Sequence, residues 1–409
     1  MIDLTRLVHG IDNRPERTRY ERSRSRDGGT VPVVVWNTTP ACNLTCEHCY
    51  FGAVDRRSDE ELSTAEAKRF IDDLAEAGVP VLVFSGGEPF VRDDLAELVA
   101  HADERGLRTI ASSNGTFLTP ERARAVADAG MAYVGVSLDG VGETHDRFRG
   151  LEGSFERAVE GLSNAQAAGM NTGVRSTMTA DTIDDLPDVV DLAVDLGVDR
   201  VNVFHLIYTG RGGAITDRDL SFAETRRMVD YLFERTVELA ETNPEMQILS
   251  AGNYADAVYL YRKIESELPE RADRARRLLL DDGPGRVVKK GDGGPKVVDV
   301  DHRGDVHPSM FLPEITLGNV RERPLDRILA DSDRWDRLAN PSAHLTGRCG
   351  RCPYREVCGG NSRARAYAVH DDLWAEDPRC YLTDEELGLE EGSTRAPIDA
   401  EVEATVDGA

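Results

Sequence analysis

VPVVVWNTTPACNLTCEHCYFGA, residues 31–53, is a β-branched run that empties into a loop carrying three cysteines. Three consecutive valines followed by Trp36 favour an extended strand buried on both faces. The loop spaces Cys42, Cys46 and Cys49 as Cys-x3-Cys-x2-Cys. Five more runs of the same kind come after it: VPVLVF (79–84), LRTIAS (107–112), AYVGVSL (132–138), TGVRSTM (172–178) and RVNVFHL (200–206). Amphipathic stretches separate them, near 64–77, 93–105, 120–129, 154–168 and 183–196. Ser63 with Glu66 three residues on reads as a capping box. Gly78, Gly106, Gly130, Gly169 and Gly197 stand where left-handed C-caps belong.

Six strand–helix units predict an α/β fold: a parallel sheet covered by helices and curled by right-handed crossovers into a full or partial barrel. In such a fold chemistry collects at the C-terminal ends of the strands. The cysteine loop lies there. So do FSGGEPF (84–90), SSNGT (112–116), VSLDG (136–140) and VFHLIYTGRGG (203–213).

Working outward, residues 1–30 read as a polar, Arg-rich leader and 31–219 as the barrel. Residues 220–265 read as helical and 281–296 as a Gly/Pro/Lys-rich loop, so that 220–296 joins the barrel to a smaller domain over 297–383. That domain opens on a hairpin signal in VVDVDHRGDVHPSMF (297–311). An acidic, disordered tail is expected over 384–409. Forty per cent hydrophobic and 30% charged residues suit a folded domain. No run approaches a membrane span and the start lacks the apolar core of a signal peptide, so the cytoplasm is the expected location. The net charge of −25 disfavours nucleic acid as a partner. Lysine is scarce among the basic residues. An acidic, Lys-poor surface suits a salt-rich cytoplasm, and a halophile is the expected source; a GC-rich genome is the competing explanation.

Seven cysteines fall in two groups, 42–49 and 349, 352, 358 and 380, with none in the 299 residues between. Cytosolic clusters of this kind read as metal sites rather than disulfides. Three thiolates on a [4Fe–4S] cube leave one iron without a protein ligand; four fill it. Zinc is the competing reading, with His48 as a fourth ligand at the first site or with all four thiolates at the second. His48 reads better as a ring packed beside the first cluster.

The Cys-x3-Cys-x2-Cys loop after the first strand, with GGEP one strand later, resembles the radical S-adenosylmethionine (SAM) superfamily. The resemblance covers residues 31–381. It implies a partial (β/α)6 radical SAM barrel whose SAM-binding [4Fe–4S] cluster is held by Cys42, Cys46 and Cys49. The open iron would chelate SAM, and one-electron cleavage of the sulfonium would give a 5′-deoxyadenosyl radical. Gly86, Gly87, Glu88 and Pro89 match the motif that contacts the SAM amino group. Asn114, Ser137 and Asp139 would face SAM or the substrate, and Arg175 would pair with the SAM carboxylate.

CGRCPYREVCGGNSRARAYA (349–368) with AEDPRC (375–380) resembles the SPASM extension of these enzymes. That resemblance implies that Cys349, Cys352, Cys358 and Cys380 would complete one auxiliary [4Fe–4S] cluster. Ser362 and Ser309 stand where the extension usually has thiols for a second, so one auxiliary cluster is expected. The wording of 204–212 and 311–323 is similar to the SPASM enzymes of haem d1 and siroheme-dependent haem biosynthesis. That implies an iron tetrapyrrole as the small-molecule substrate, losing acetate or decarboxylated at its side chains. Arg211, Arg363 and Arg365 would contact its carboxylates. A ferredoxin- or flavodoxin-type reductant is the implied partner. Two other readings compete: a SPASM maturase that crosslinks a peptide, and an iron–sulfur protein without SAM chemistry.

Overall fold

The computed structural model describes residues 1–10, 31–280, 287–288 and 297–389. One 11-stranded sheet organises the chain. Its strands are β1 (Ile2–Asp3), β2 (Val33–Asn37), β3 (Val81–Ser85), β4 (Arg108–Ser113), β5 (Tyr133–Ser137), β6 (Asn171–Met178), β7 (Arg200–His205), β8 (Gln247–Ala251), β9 (Val297–Val300), β10 (Asp305–His307) and β11 (Gly318–Asn319). The order is β1-β8-β7-β6-β5-β4-β3-β2-β9-β10-β11.

All six expected strands are present and pair in parallel in sequence order. Helices Thr64–Glu76, Leu95–Glu104, Pro120–Asp128, Ser154–Ala167 and Leu186–Asp195 cross between them. The Ser63–Glu66 capping box forms. All five C-cap glycines have positive φ. Trp36, fully buried, meets Phe70 edge-on at 5.7 Å and Phe84 at the same centroid distance. The valine-rich strand thus anchors the core immediately before the cysteine loop.

Three expectations are corrected. Residues 2–9 are no polar leader: β1 pairs antiparallel with β8, and helix Leu4–His9 buries Leu4, Leu7 and Val8. The Arg-rich stretch 11–30 lies outside the described residues. Residues 220–265 are not all helical. Between helices Phe222–Thr242 and Ala255–Glu267 the chain lays down β8, a seventh strand parallel to β7. Nor does order stop at 384. Helix Asp384–Leu387 carries its own capping box, buries Leu387, and is tied to the barrel by Arg226 and Glu386 at 2.6 Å; the tail beyond 389 lies outside the described residues.

The loop expected over 281–296 also lies outside them, except for Val287 and Val288, which are buried. The hairpin after it forms, with Val306 opposite Val300. Its first strand, β9, runs parallel to β2. The smaller C-terminal unit is therefore built onto the same sheet, against the strand that feeds the cysteine loop.

Candidate active site at the C-terminal ends of the strands

The cysteine loop leaves β2 and is pinned from three sides. From β3, the Gly87 and Glu88 amides donate to Thr39 O and Ala41 O at 2.7 and 2.8 Å. From helix Glu143–Arg149, the last carbonyls accept from the loop: Arg149 O from Thr45 N and Phe148 O from Glu47 N, both at 3.1 Å. From the β7 end, Arg211 donates through Nε to Cys46 O at 2.7 Å and through Nη1 to Ala53 O at 2.8 Å. Gly87 and Gly210 make the close approaches possible. A Cβ on Gly87 would fall 2.2 Å from Ala41 O, and one on Gly210 (φ 58°) 2.3 Å from Tyr50 O. The glycine pair at 86–87 thus also serves to seat the cysteine loop.

Cys42, Cys46 and Cys49 line one cavity of about 980 Å³, counting its solvent-open mouth. Gly86, Gly87, Asn114, Ser137 and Arg175 line it as well. Glu88 does not. Its fully buried carboxyl accepts from Asn114 N (2.7 Å), Ser113 Oγ (2.9 Å) and Phe90 N (3.1 Å), so it stitches the β3 loop to the β4 loop. Burial raises its pKa to about 7 against those hydrogen bonds. Pro89 follows, buried, in a short 3-10 turn. Asn114 Nδ2 reaches Asn43 Oδ1 at 3.0 Å and Cys42 Sγ at 3.7 Å. Arg175 lays its stem across Gly135 and its guanidinium over Phe204 at 4.9 Å. Its guanidinium has no hydrogen bond or ion pair among the described residues, and burial lowers its pKa. An uncompensated cation on a cavity wall fits an anionic ligand.

Asp139 is placed otherwise than expected. It lies behind the wall, fully buried, 2.5 Å from Arg149 Nη2 and 3.3 Å from His48 Nε2, accepting from Thr177 N at 2.6 Å. Burial opposes its ionisation, but Arg149 and then His48 outweigh it, and its pKa is lowered. His48 stacks on Phe148 with centroids 4.7 Å apart, and burial drops its pKa to about 4. It is a neutral ring beside the loop, engaged by Asp139, in keeping with the packing role expected for it.

Two of the three arginines expected to meet substrate carboxylates are committed elsewhere. Arg363 and Arg365 are fully buried. Arg363 donates to Leu373 O and Ala375 O, each at 2.7 Å, and to Gly360 O. Arg365 forks onto Asp377 at 2.7 and 3.1 Å and reaches Leu206 O at 3.0 Å. Arg363 is an internal strut of the C-terminal unit, and Arg365 ties that unit to the end of β7. Arg211 remains: it lines the cavity, and its Nη2 is buried without a partner.

Sequence reading missed Arg149, although it stands in HDRFRGLEGSF (145–155), and it missed His205. Arg149 lines the cavity and places Nη1 3.6 Å from Cys46 Sγ. His205, at the end of β7, also lines it, with Nε2 2.8 Å from buried Asp256. Asp256 in turn accepts from Ser250 Oγ and from Tyr381 Oη, the latter at 2.9 Å. Only a strand register that points 205 into the barrel, or an i+12 spacing from Ser137 to Arg149 read as meaningful, could have flagged them.

In the C-terminal unit, Cys349 and Cys358 lie in helices Gly347–Arg351 and Arg355–Cys358, with Cys352 between them. Cys352, Cys358 and Cys380 pack against the main core. Burial raises all four thiols, Cys352 to about 11. Ser362 caps helix Arg363–His370 by accepting from Arg365 N, and Ser309 Oγ accepts from Phe311 N at 3.2 Å. Both serines serve as turn formers where thiols would serve a further cluster.

Burial raises Cys42 as well, to about 12 with Glu88 adding to it, and it raises Cys46 against the pull of Arg149. Among the described residues no three His, Cys, Asp or Glu side chains converge as one metal ion would require. A [4Fe–4S] cube makes no such demand, because each thiolate binds its own iron. Cys42, Cys46 and Cys49 share one cavity, and Cys349, Cys352 and Cys380 lie close enough to Cys358 to act on it electrostatically, as the ligands of one cluster would. No helix among the described residues is long and apolar enough to cross a membrane.

Comparison with known proteins agrees with this geometry. Residues 36–193 match the Radical SAM superfamily. The chain is 41% identical to Fe-coproporphyrin III synthase of Methanosarcina barkeri, over 96% of this chain and 100% of that one. It is 38% identical to pre-heme d1 synthase of Dinoroseobacter shibae, over 94% and 93%. It is 33% identical to AdoMet-dependent heme synthase of Nitratidesulfovibrio vulgaris, over 86% and 92%. Among solved structures, SuiB of Streptococcus suis bound to its precursor peptide SuiA superposes with a TM-score of 0.66 at 16% identity, covering 87% of this chain and 76% of that one. The fold is shared with that enzyme.

Proposed function

Because the chain belongs to the radical SAM superfamily, we propose that Cys42, Cys46 and Cys49 hold its SAM-binding [4Fe–4S] cluster, and that the enzyme modifies side chains of an iron tetrapyrrole in haem biosynthesis. A single observation carries the first half: the three thiols face one cavity that also presents Gly86, Asn114, Ser137 and the unpartnered Arg175. When bound and reduced, the cluster supplies the electron that cleaves SAM to a 5′-deoxyadenosyl radical.

The protein's own part is positional. Gly86 and Gly87 offer backbone at the cavity wall, Glu88 fixes the loop that carries Asn114, and Ser137 faces the cavity beside Arg175. Arg175 is the candidate for the SAM carboxylate. Arg211 Nη2 is the candidate for a substrate carboxylate. Apolar Phe204, Ile207, Met310 and Phe311 line the same cavity and keep water from a radical. We assign residues 31–219 to SAM handling. Residues 297–383 we assign to one auxiliary [4Fe–4S] cluster, which Cys349, Cys352, Cys358 and Cys380 would hold and which would supply electron-transfer chemistry. A ferredoxin- or flavodoxin-type protein in the cytoplasm is the reductant this chemistry calls for.

The substrate half rests on the relatives. Fe-coproporphyrin III carries propionates and no acetates, so 41% identity to a synthase named for it favours acetate removal over propionate decarboxylation. A peptide-crosslinking role finds less support, since PqqA peptide cyclase of Bradyrhizobium diazoefficiens is 28% identical against 41% for Fe-coproporphyrin III synthase. The test is anaerobic incubation with SAM, dithionite and either didecarboxysiroheme or iron-coproporphyrin, followed by mass analysis. Loss of acetate from the first, with 5′-deoxyadenosine released, is expected. Turnover of neither, in protein that still cleaves SAM, would sink the tetrapyrrole assignment.

A further inference from the structure

Arg149 and Asp139 form a buried ion pair, at the inner wall of the cavity, that points at one cysteine of the loop. Arg149 Nη1 stands 3.6 Å from Cys46 Sγ, while Nη2 stands 2.5 Å from Asp139 Oδ2. Asp139 is fully buried and Arg149 nearly so, at 7% exposure. A buried pair is an expensive way to stabilise a fold, because desolvation offsets much of the attraction. This one is firmly held. Helix Glu143–Arg149 ends on Gly150, which is left-handed and sits so close to Thr45 that a Cβ would fall 2.2 Å from its Oγ1. The final carbonyls of the same turn accept from the loop amides of Thr45 and Glu47. Asp139 is anchored in turn by Thr177 N, and its own amide donates to His145 Nδ1 at 3.2 Å.

We infer that the Arg149–Asp139 pair sets the reduction potential of the cluster at Cys42, Cys46 and Cys49, with Arg149 raising it and Asp139 holding it down. The inference rests on the cluster assignment made above. Reduction adds one negative charge. A guanidinium beside a ligand sulfur favours the reduced state, and a carboxylate just behind it favours the oxidised state. Charge and hydrogen bonds at sulfur are the protein's levers on such potentials. Both members are positioning residues: each acts on the cluster through Cys46. The other polar groups near Cys46 are Arg211, which spends its Nε on the backbone oxygen of Cys46, and Asn114 with Glu88 on the far side, toward Cys42. His48 Nε2, 3.3 Å from Asp139, and His145 Nδ1, which accepts from the Asp139 amide, complete the surroundings of the pair.

The test is a redox titration of reconstituted full-length protein, monitored by electron paramagnetic resonance. The reading is restricted to the signal that changes on adding SAM, which separates this cluster from the auxiliary one. Arg149→Met should lower the ratio of reduced to oxidised cluster about tenfold at a fixed potential, a shift of about 59 mV for one electron. Asp139→Asn should move it the other way. Arg149→Lys should fall between wild type and Met, since a lysine keeps the charge but not the fork. Opposite signs are the discriminating result, because general damage to the site would move both variants alike. If Arg149→Met assembles no cluster, Asp139→Asn and Arg149→Lys still carry the sign. Fully loaded variants with unmoved potentials, or shifts in one direction only, would overturn the inference while leaving the cluster assignment intact. Wild-type protein with no SAM-responsive signal would overturn the assignment first and the inference with it.

Discussion

Arginine is the residue type whose role depends most on its surroundings, and three arginines of this chain show it. Arg365 is fully enclosed with Asp377, a fork on a carboxylate that no ligand can reach. Arg211 spends Nε and Nη1 on two backbone carbonyls of the cysteine loop and keeps a buried, unpartnered Nη2. Arg175 has only the face of Phe204 beneath it. Their substitutions should therefore differ in kind. Arg175→Gln should weaken SAM binding roughly ten- to a hundredfold, the worth of about 1.5–3 kcal/mol for a charge-assisted contact, with cluster content and melting temperature unchanged. Arg365→Gln should leave Asp377 buried without its counter-ion and cost about 3–5 kcal/mol of stability. Equilibrium binding of SAM to reconstituted protein and thermal melts separate the two. A stability loss in Arg175→Gln with SAM affinity intact would refute the ligand role. The residues themselves gave no hint of this sorting. SRARAYA looks like a surface helix with two free cations until Asp377, twelve residues past Arg365, is found to face it.

Secondary-structure elements were legible in proportion to their length and regularity. The six β-branched runs matched their strands within a few residues at either end, because a buried parallel strand writes itself as a run of valine and isoleucine. The C-cap glycines bounded the helices for the same reason: only glycine takes the left-handed turn cheaply. The failures are short. QILSA is five residues between two long helices, and helical periodicity runs straight over it unless Asn243 and Pro244 are read as a stop. Ile2–Asp3 and Leu4–His9 are too brief to show a period of their own, and the arginines after them disguise them. Yet Leu7 is fully buried, and Thr5 Oγ1 accepts from Ile248 N at 2.9 Å, so this segment finishes the edge that β8 exposes. Leu7→Ala should destabilise the protein by about 2–5 kcal/mol, as other buried leucines do, in a denaturant titration of the full chain. A change below about 0.5 kcal/mol, the range for ordinary surface sites, would mean that the segment is the dispensable leader its composition suggested.

At the scale of the whole molecule two electrostatic terms oppose each other. Local ion pairs bind the outlying parts to the barrel: Glu66 with Arg321 at 2.9 Å, and Glu386 with Arg226 at 2.6 Å. Arg321 and Arg226 hold the two carboxyls down at about 2, aided by their capping-box partners, against an ordinary value of 4.5. A carboxyl with a lowered native pKa contributes its stability fully above 4.5 and loses it as the pH falls from there to about 2. The advantage of wild type over Glu386→Gln should therefore hold from pH 7 to pH 5 and shrink below pH 4.5; an advantage that grew on acidification would contradict the pairing. Against these pairs stands the net charge of −25, which repels itself across the entire surface. Exposed pairs are each worth about 0–1 kcal/mol, and salt weakens them, but salt weakens the long-range repulsion too. Because the screening length falls from about 10 Å at 0.1 M to about 3 Å at 1 M, contacts at 2.6–2.9 Å survive better than repulsion acting over tens of ångströms. The melting temperature should accordingly rise between 0.1 and 1 M potassium chloride. The rise should be larger still in variants whose only change is an added Asp or Glu on the surface, far from any arginine. A melting temperature that fell with salt would mean that the ion pairs, not the excess charge, govern the stability of this fold.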